Sequence, residues 1–239
     1  MNKSLVSVVV AVKNGERFLA AAINSVLEQD YEPLEIIVVD GQSVDGTGTI
    51  AKSFKEVRYI RQVDQGVADA WNVGIDASGG EFIAFLSHDD LWTPDKLSVQ
   101  VNYLVDHPEI QYNIAKVKFL LERGCSIPPG LRKGLLEGEY VGRIMETLVS
   151  RRSAFDIVGN FDTGLSVSED ADWFARAKDK NVPMAVMPEV LLHKRVHDAN
   201  LSLSAVQETQ QNLLRVLRQS IVRQRRHKPR AYNSRNCIK

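Results

Sequence analysis

The sequence predicts an α/β fold: a mostly parallel central sheet flanked by helices, with one further helix near the C-terminus. Three observations carry this prediction. Apolar runs rich in β-branched residues recur at 6–12, 35–39, 57–63 and 81–86. Each is followed by a segment of helical periodicity, so strand and helix alternate about four times before residue 107. The first two runs are apolar almost throughout rather than alternating, which is the pattern of strands buried on both faces.

The elements follow in order. After the first strand, VSVVVAV, Asn14 offers a helix cap before GERFLAAAINSVLEQ, where Phe18, Ala22 and Val26 fall at helical spacing. The second strand ends at Asp40, and SVDGTGTIAKSF starts a second helix. VRYIRQV is a third strand, GVADAWNVGIDAS a third helix and EFIAFL a fourth strand. Pro94, in a first turn, opens the helix PDKLSVQVNYLVDH. Residues 107–165, with Pro128-Pro129-Gly130 and several other glycines, read as an excursion over the active edge of the sheet. SEDADWFARAKDKNV is then a helix carrying acids at its start, and PMAVMPEVLLHKRVH is extended. SAVQETQQNLLRVLRQSIVRQRR is a long amphipathic helix.

Length and composition narrow the class. The 239 residues are 44% hydrophobic and 25% charged, ordinary for a soluble globular protein with ample material for a core. No apolar run approaches the length of a membrane-spanning helix, and the N-terminal run reads as a strand rather than a signal peptide. Cys125 and Cys237 lack a CxxC partner, so a reducing cytoplasm is the expected compartment, with the inner face of the membrane as a second option. The zero net charge hides an asymmetry. No Asp or Glu follows Glu208, whereas nine of the 30 basic residues do. An acidic body, and a tail whose one aromatic is Tyr232, argue against nucleic acid as a partner.

Ligands of open α/β sheets bind at the carboxyl ends of the strands, where Asn14, Asp40 and Asp89 fall. Glycines at 41, 46 and 48 allow a nucleotide to approach the backbone after Asp40. Neither G-x-G-x-x-G nor the phosphate loop G-x-x-x-x-G-K is present, which disfavours those two nucleotide-binding classes. Asp89, beside His88 and Asp90, suits a hard divalent cation that takes one or two carboxylates plus substrate phosphates; a capped turn before the next helix is the plain alternative. Glu169 and Asp170 open a helix whose dipole favours their ionised forms. Either a general base or simple capping accounts for them. His193 and His197 are four apart but on extended chain without the Glu of H-E-x-x-H, so zinc is not expected.

The joint order of these motifs resembles inverting family 2 glycosyltransferases of the GT-A fold. The resemblance covers about residues 6–204: the opening VSVVVAVKNGERFLAAAINSVLEQDYEPLEIIVVDGQSVDGT, then DQGVADAWNVGIDASGGEFIAFLSHDDLWTPDKL, then SEDADWFARA. It implies one GT-A domain over 1–204, with a donor half to about 106 and an acceptor half after it, followed by a basic amphipathic helix and tail at 205–239. It implies hexosyl-type transfer, with inversion, from a nucleotide diphosphate sugar to an acceptor hydroxyl, in polysaccharide or glycolipid biosynthesis. Asp40 matches the acid at the nucleobase, and Asp89 the carboxylate holding Mg²⁺ or Mn²⁺ on the diphosphate. Asp170 matches the catalytic base, with Glu169 beside it, and His197 a late element near the diphosphate and metal. Val12, Lys13, Asn14, Gln65, Asp69, Ser87 and His88 complete the implied donor-binding set.

Three positions depart from the family pattern. Ser87 stands where an Asp is usual, Lys13 where an aromatic stacks on the base, and Gly41 where a second acid follows Asp40. They motivate a rival reading, a sugar-nucleotide-binding or scaffolding protein without turnover, against which Asp89, Glu169 and Asp170 argue. A metal-dependent phosphohydrolase around His88-Asp89 is a second rival, but no His precedes His88 to complete its ligand set. Leu213, Leu214, Leu217 and Ile221 line one side of the last helix. That stripe is expected either to lie on an anionic membrane surface, near a lipid-linked acceptor, or to pack on the body or a second subunit.

Overall fold

The strand β1 (Val6–Val12) is buried along its whole length, which only an interior strand can be. It pairs in parallel with β2 (Leu34–Asp40) on one side and β4 (Phe82–Ser87) on the other. Outside β2, β3 (Val57–Arg61) adds a further parallel strand. The helices α1 (Leu19–Leu27), α2 (Thr47–Ser53) and α3 (Val67–Ala77) connect these strands in turn. The computed structural model describes residues 3–64, 66–128, 131–198, 200 and 205–227.

Side chains alternate across a strand, and β1 uses both sets. Val6, Val8, Val10 and Val12 enter one core with Leu19, Ile23 and Val26 of α1 and Leu97, Val101 and Leu104 of α4 (Lys96–Asp106). Val9 and Ala11 enter the other with Ala68, Trp71 and Ile75 of α3. There α3 lies so close that a Cβ on Gly74 would sit 2.1 Å from Val9 Cγ1. Only glycine allows that approach.

The remainder of the chain completes the same sheet. Its elements are β5 (Leu91–Trp92), β6 (Tyr112–Leu121), β7 (Glu139–Val141), β8 (Val149–Arg151), α5 (Arg152–Val158), α6 (Glu169–Asp179), β9 (Met184–Val196) and α7 (Val206–His227). The sheet order is β3-β2-β1-β4-β8-β6-β9-β5, with β7 on β6. β8 is antiparallel to both β4 and β6, whereas β6 and β9 run parallel. Residues 107–165 are therefore not an excursion over the sheet but supply three of its strands. Two of these are three residues long, too short for a hydrophobic period to register.

Two helix starts also differ from the sequence reading. Asn14 does not cap α1, which begins five residues later at Leu19. It sits instead at φ 50°, a left-handed conformation that Asn tolerates, and its Oδ1 accepts the Val44 N–H at 3.0 Å. The helix after Pro94 starts at Lys96, with Asp95 at its N-cap. On the α3 face, a run of rings anchors α6: Trp173, fully buried, lies 5.2 Å from Phe155 and 5.3 Å from Tyr112 between centroids. The expected division after residue 204 adjoins 201–204, which lie outside the described residues. Among the described residues, no helix is long and apolar enough to cross a membrane.

Candidate active site

The sheet register sets Val12 opposite Asp40 and Ala11 opposite Ser87, so β1, β2 and β4 end in step and form one rim. Two loops close against each other on that rim. Asn14 N–H donates to Ser43 Oγ at 2.7 Å, Gly15 N–H to Thr47 Oγ1 at 2.8 Å, and Gly46 N–H to Glu16 Oε2 at 2.8 Å. A side chain at Gly15 could not be placed, because its Cβ would lie 2.5 Å from Val12 Cγ2 and 2.6 Å from His88 Cδ2. Burial, the largest influence on His88, pushes its imidazole pKa down, so the ring is neutral at neutral pH.

Beyond β4 the chain turns through Asp89 and Asp90, which face different partners. Asp89 Oδ2 lies 3.0 Å from His197 Nε2 and accepts from Asn200 Nδ2 at 3.1 Å. Asn200 Oδ1 in turn accepts the His197 N–H at 2.7 Å. The His197 ring packs on Phe18 at 4.6 Å, and Phe18 is flanked by the guanidinium groups of Arg17 and Arg195. Burial alone would raise the Asp89 pKa. The His197 bond, the charge that His88 carries once acid protonates it, and the charge of Lys194 outweigh burial and hold the carboxyl well below its usual range. Asp90 is wholly buried, with Lys194 Nζ at 2.8 Å and the Arg195 N–H at 2.9 Å.

The sequence reading missed Glu146, on the short helical turn Met145–Thr147. Its Oε1 accepts from Ser87 Oγ at 2.5 Å and lies 3.4 Å from Lys194 Nζ, while Trp92 Nε1 donates to its backbone carbonyl at 3.1 Å. A carboxylate thus stands beside Ser87, supplied by a segment about 60 residues downstream. No signal in the sequence marks it, because Glu146 lies in the stretch that carries neither a periodic pattern nor a motif.

On the facing side, α6 presents Glu169 and Asp170. Its N-cap, Ser168, sits at φ 68° and makes no side-chain cap bond. Neither acid caps the helix in the ordinary way; Asp170 Oδ1 accepts the N–H of Ala171 at 2.6 Å. Burial and the neighbouring Asp170 push Glu169 up to about 8. Burial and the charge of Glu146 push Asp170 up to about 6. The dipole argument for ionised acids therefore fails on magnitude. A helix N-terminus contributes roughly 0.3–1 kcal/mol, whereas one pKa unit is about 1.4 kcal/mol. Both carboxyls are raised toward neutrality, so near neutral pH the pair shares a proton and carries about one negative charge. Lys194 also acts on Asp170, so Glu146 and Lys194 couple the β4 rim to α6.

The other expected donor residues take places of their own around the strand ends. Asp40 is 2% exposed, and its two oxygens are taken by Tyr59 Oη at 2.6 Å and the Ser43 N–H at 2.9 Å. Val12 has its side chain in the core, and its carbonyl accepts the Gly41 N–H at 2.7 Å. Lys13 and Asn14 are exposed on the rim. Asp69 is half-buried, with Gln62 Nε2 3.1 Å from its carboxylate. Gln65 lies outside the described residues. His193 pairs with Leu91 in the sheet, away from the His197 group.

Among the described residues, no three His, Cys, Asp or Glu side chains converge as a self-contained metal cage. Asp89 and His197, in contact, fit the other kind of site, in which two protein ligands share a cation with substrate phosphates.

Comparison with known proteins matches this architecture to a class and then to a family. Residues 7–120 match the model of Glycosyl transferase family 2. An uncharacterized glycosyltransferase of Rickettsia typhi is 32% identical over 228 residues, covering 87% of this chain and 69% of its own length. The Escherichia coli UDP-Glc:alpha-D-GlcNAc-diphosphoundecaprenol beta-1,3-glucosyltransferase WfaP is 28% identical over 220 residues, covering 88% of this chain and 86% of its own. The Pyrobaculum calidifontis mannosyltransferase PcManGT, solved with GDP-Man and Mn²⁺, superposes with a TM-score of 0.67 at 20% identity. That match covers 92% of this chain and 65% of the other. The fold is GT-A, a curled, mostly parallel sheet between helices. The chain belongs to family 2 of the glycosyltransferases, and spans about two thirds of its R. typhi relative.

Proposed function

We propose that this protein moves a sugar from a nucleoside diphosphate to an acceptor hydroxyl, with inversion at the anomeric carbon and a divalent cation at Asp89 and His197. The observation that carries the reading is the pairing of Asp89–His197–Asn200 on the rim with a half-buried Asp170 whose pKa is lifted toward neutrality. A binding protein without turnover would need no such base, so the transferase reading is favoured over it.

In this reading Asp170 takes the acceptor proton while the acceptor oxygen bonds to the anomeric carbon. The bond to the diphosphate oxygen breaks on the opposite face, and its electron pair leaves with the nucleoside diphosphate. In this reading the proton that the pair shares sits on Glu169, which can donate a hydrogen bond within the same site. A bound Mg²⁺ or Mn²⁺ would neutralise charge on the departing diphosphate. Asp89 is kept ionised for that purpose by its neighbours, and Asn200 and Phe18 fix the orientation of His197. Because catalysis here rests on placed charge, these orientations matter more than raw affinity.

The Mn²⁺ in the archaeal mannosyltransferase structure supports the cation, and the name of the E. coli relative supports a uridine donor and a lipid diphosphate-linked acceptor. Calorimetry with UDP, GDP and their sugars, with Mn²⁺ and with chelator, tests donor and cation together. Tight binding should require the cation, and Asp89→Ala should remove that requirement. Equal affinity of the native protein with chelator would sink the cation assignment. NMR of the product should show the anomeric configuration reversed; retention would sink the inverting mechanism.

A further inference from the structure

The last helix docks on the body by the polar face, the one that an amphipathic pattern assigns to water. Thr209, Asn212, Val216, Gln219, Ser220 and Arg223 form the covered stripe of α7, and Val216 is its one apolar member. The contacts are polar. Asn212 Nδ2 donates to the Val167 carbonyl at 3.0 Å, and Arg215 lies 3.3 Å from Asp162. Ser220 and Arg223 both bind Asp179, at the end of α6, at 2.7 Å.

The leucines point elsewhere. Leu213, Leu214, Leu217 and Ile221 are 42–57% exposed. At about 100° per residue they occupy one stripe, roughly a third of a turn away from the docked face. Arg218 and Arg225 fall along the edge of that stripe, are exposed, and make no ion pair among the described residues. The arginines that do pair, 215 and 223, are those facing the body. Packing on the body is thus already accomplished without the stripe, which removes that explanation for it.

We propose that this stripe is a docking surface for an anionic lipid bilayer, with α7 lying in the plane of the interface. Its leucines would enter the boundary between headgroups and chains, and Arg218 and Arg225 would meet lipid phosphates. Charge selects this occupant over a second copy of the chain. After Glu208 the sequence contains nine basic residues and no acidic one. Two such helices brought face to face would oppose like charges, whereas a negatively charged surface attracts the basic residues that the body leaves unpaired. The inference is independent of the donor, the acceptor and the catalytic residues.

Flotation of the full chain with phosphatidylglycerol vesicles and with phosphatidylcholine vesicles tests it. The protein should float with the first and not the second, and salt should release it. Arg218→Gln with Arg225→Gln should weaken partitioning roughly 30-fold. Leu214→Ser, Leu217→Ser and Ile221→Ser together should weaken it at least about tenfold. These side chains are exposed, so the thermal transition should stay in place in both variants and serve as the folding control. No flotation of the native chain, or flotation unchanged by the serine substitutions, would overturn the proposal. So would self-association that the serine substitutions abolish in a protein that does not bind vesicles.

Discussion

Replacing Asp170 by Asn is expected to lower turnover by about 10²–10⁴-fold while leaving donor affinity unchanged. The carboxamide keeps the shape of the side chain and can still accept the Ala171 N–H that the carboxylate accepts at 2.6 Å. It cannot take a proton. In the proposed mechanism the base acts only as the acceptor attacks, so the loss belongs to the chemical step and not to donor binding. Single-turnover transfer beside calorimetric donor binding separates the two. Transfer at the native rate would remove Asp170 from the mechanism.

The same pair of acids sets a pH dependence. With Asp170 lifted to about 6, activity should rise as pH climbs through that value and the base loses its proton. The charge of Glu146 is, after burial, the largest influence raising it. Glu146→Gln should therefore shift the acid limb to lower pH. Stability runs the opposite way. Folded-state values above the ordinary carboxylate range mean that folding favours the protonated forms. This contribution is fully present in acid and is lost as pH rises through about 6 for Asp170 and about 8 for Glu169. Neutral replacements should thus raise Tm most at alkaline pH, by about 2–4 °C for each kcal/mol relieved in a domain of this size. A site that costs stability to keep two acids poised is consistent with catalytic use.

How much of this was legible depends on the range of the interaction. β1, β2 and β4 were readable because strands buried on both faces leave continuous apolar runs, and the rim at Asp40 and Asp89 followed from where those runs stop. The place of Glu169 and Asp170 at the start of α6 is legible from the sequence, whereas their ionisation is not. The dipole is a local feature, whereas the burial that outweighs it comes from packing α6 against the rest of the chain. Glu146 was invisible for the same reason. It meets Ser87 only through a fold in which β8 inserts beside β4, and three-residue strands announce nothing in sequence. Asn14 shows a different limit: Asn suits both a helix cap and a left-handed turn, and sequence alone favours the commoner use. The amphipathic pattern of α7 was read correctly, but periodicity says only that one face is apolar. It cannot say whether that face or the polar one meets the body, since Asp162 and Asp179 are supplied from elsewhere.

Lys194→Met is expected to destabilise the fold by about 3–5 kcal/mol, the usual effect of leaving a buried charge without its partner. Asp90 has no exposed surface, and among the described residues the ammonium at 2.8 Å is its one cationic contact. Burial disfavours charge on Lys194, yet Asp90, Glu146 and Asp89 outweigh it and hold the lysine pKa well above its usual value. Met fills a similar volume, so the loss isolates the charge rather than the packing. Burial, with the charges of Asp89 and Glu146, already lifts Asp90 to about 7 against the pull of the ammonium; without the ammonium it rises further, and the carboxyl takes up a proton. The deficit relative to the native protein should therefore be deepest above neutral pH and shrink as pH falls. Adding Asp90→Asn should recover part of the loss, and the double-mutant cycle should give a coupling of about 0.5–3 kcal/mol. A single-variant change below about 0.5 kcal/mol would show that the pair is not an anchor. Its position explains why an anchor is placed there. Asp90 ties the turn after β4 to β9 through Lys194 and the Arg195 N–H, and the residues next to that tie, Asp89 and His197, are the two that the proposed cation site brings together. Loosening it should let Asp89 and His197 part, so the folded fraction of Lys194→Met should also bind nucleoside diphosphate with Mn²⁺ more weakly than the native protein does.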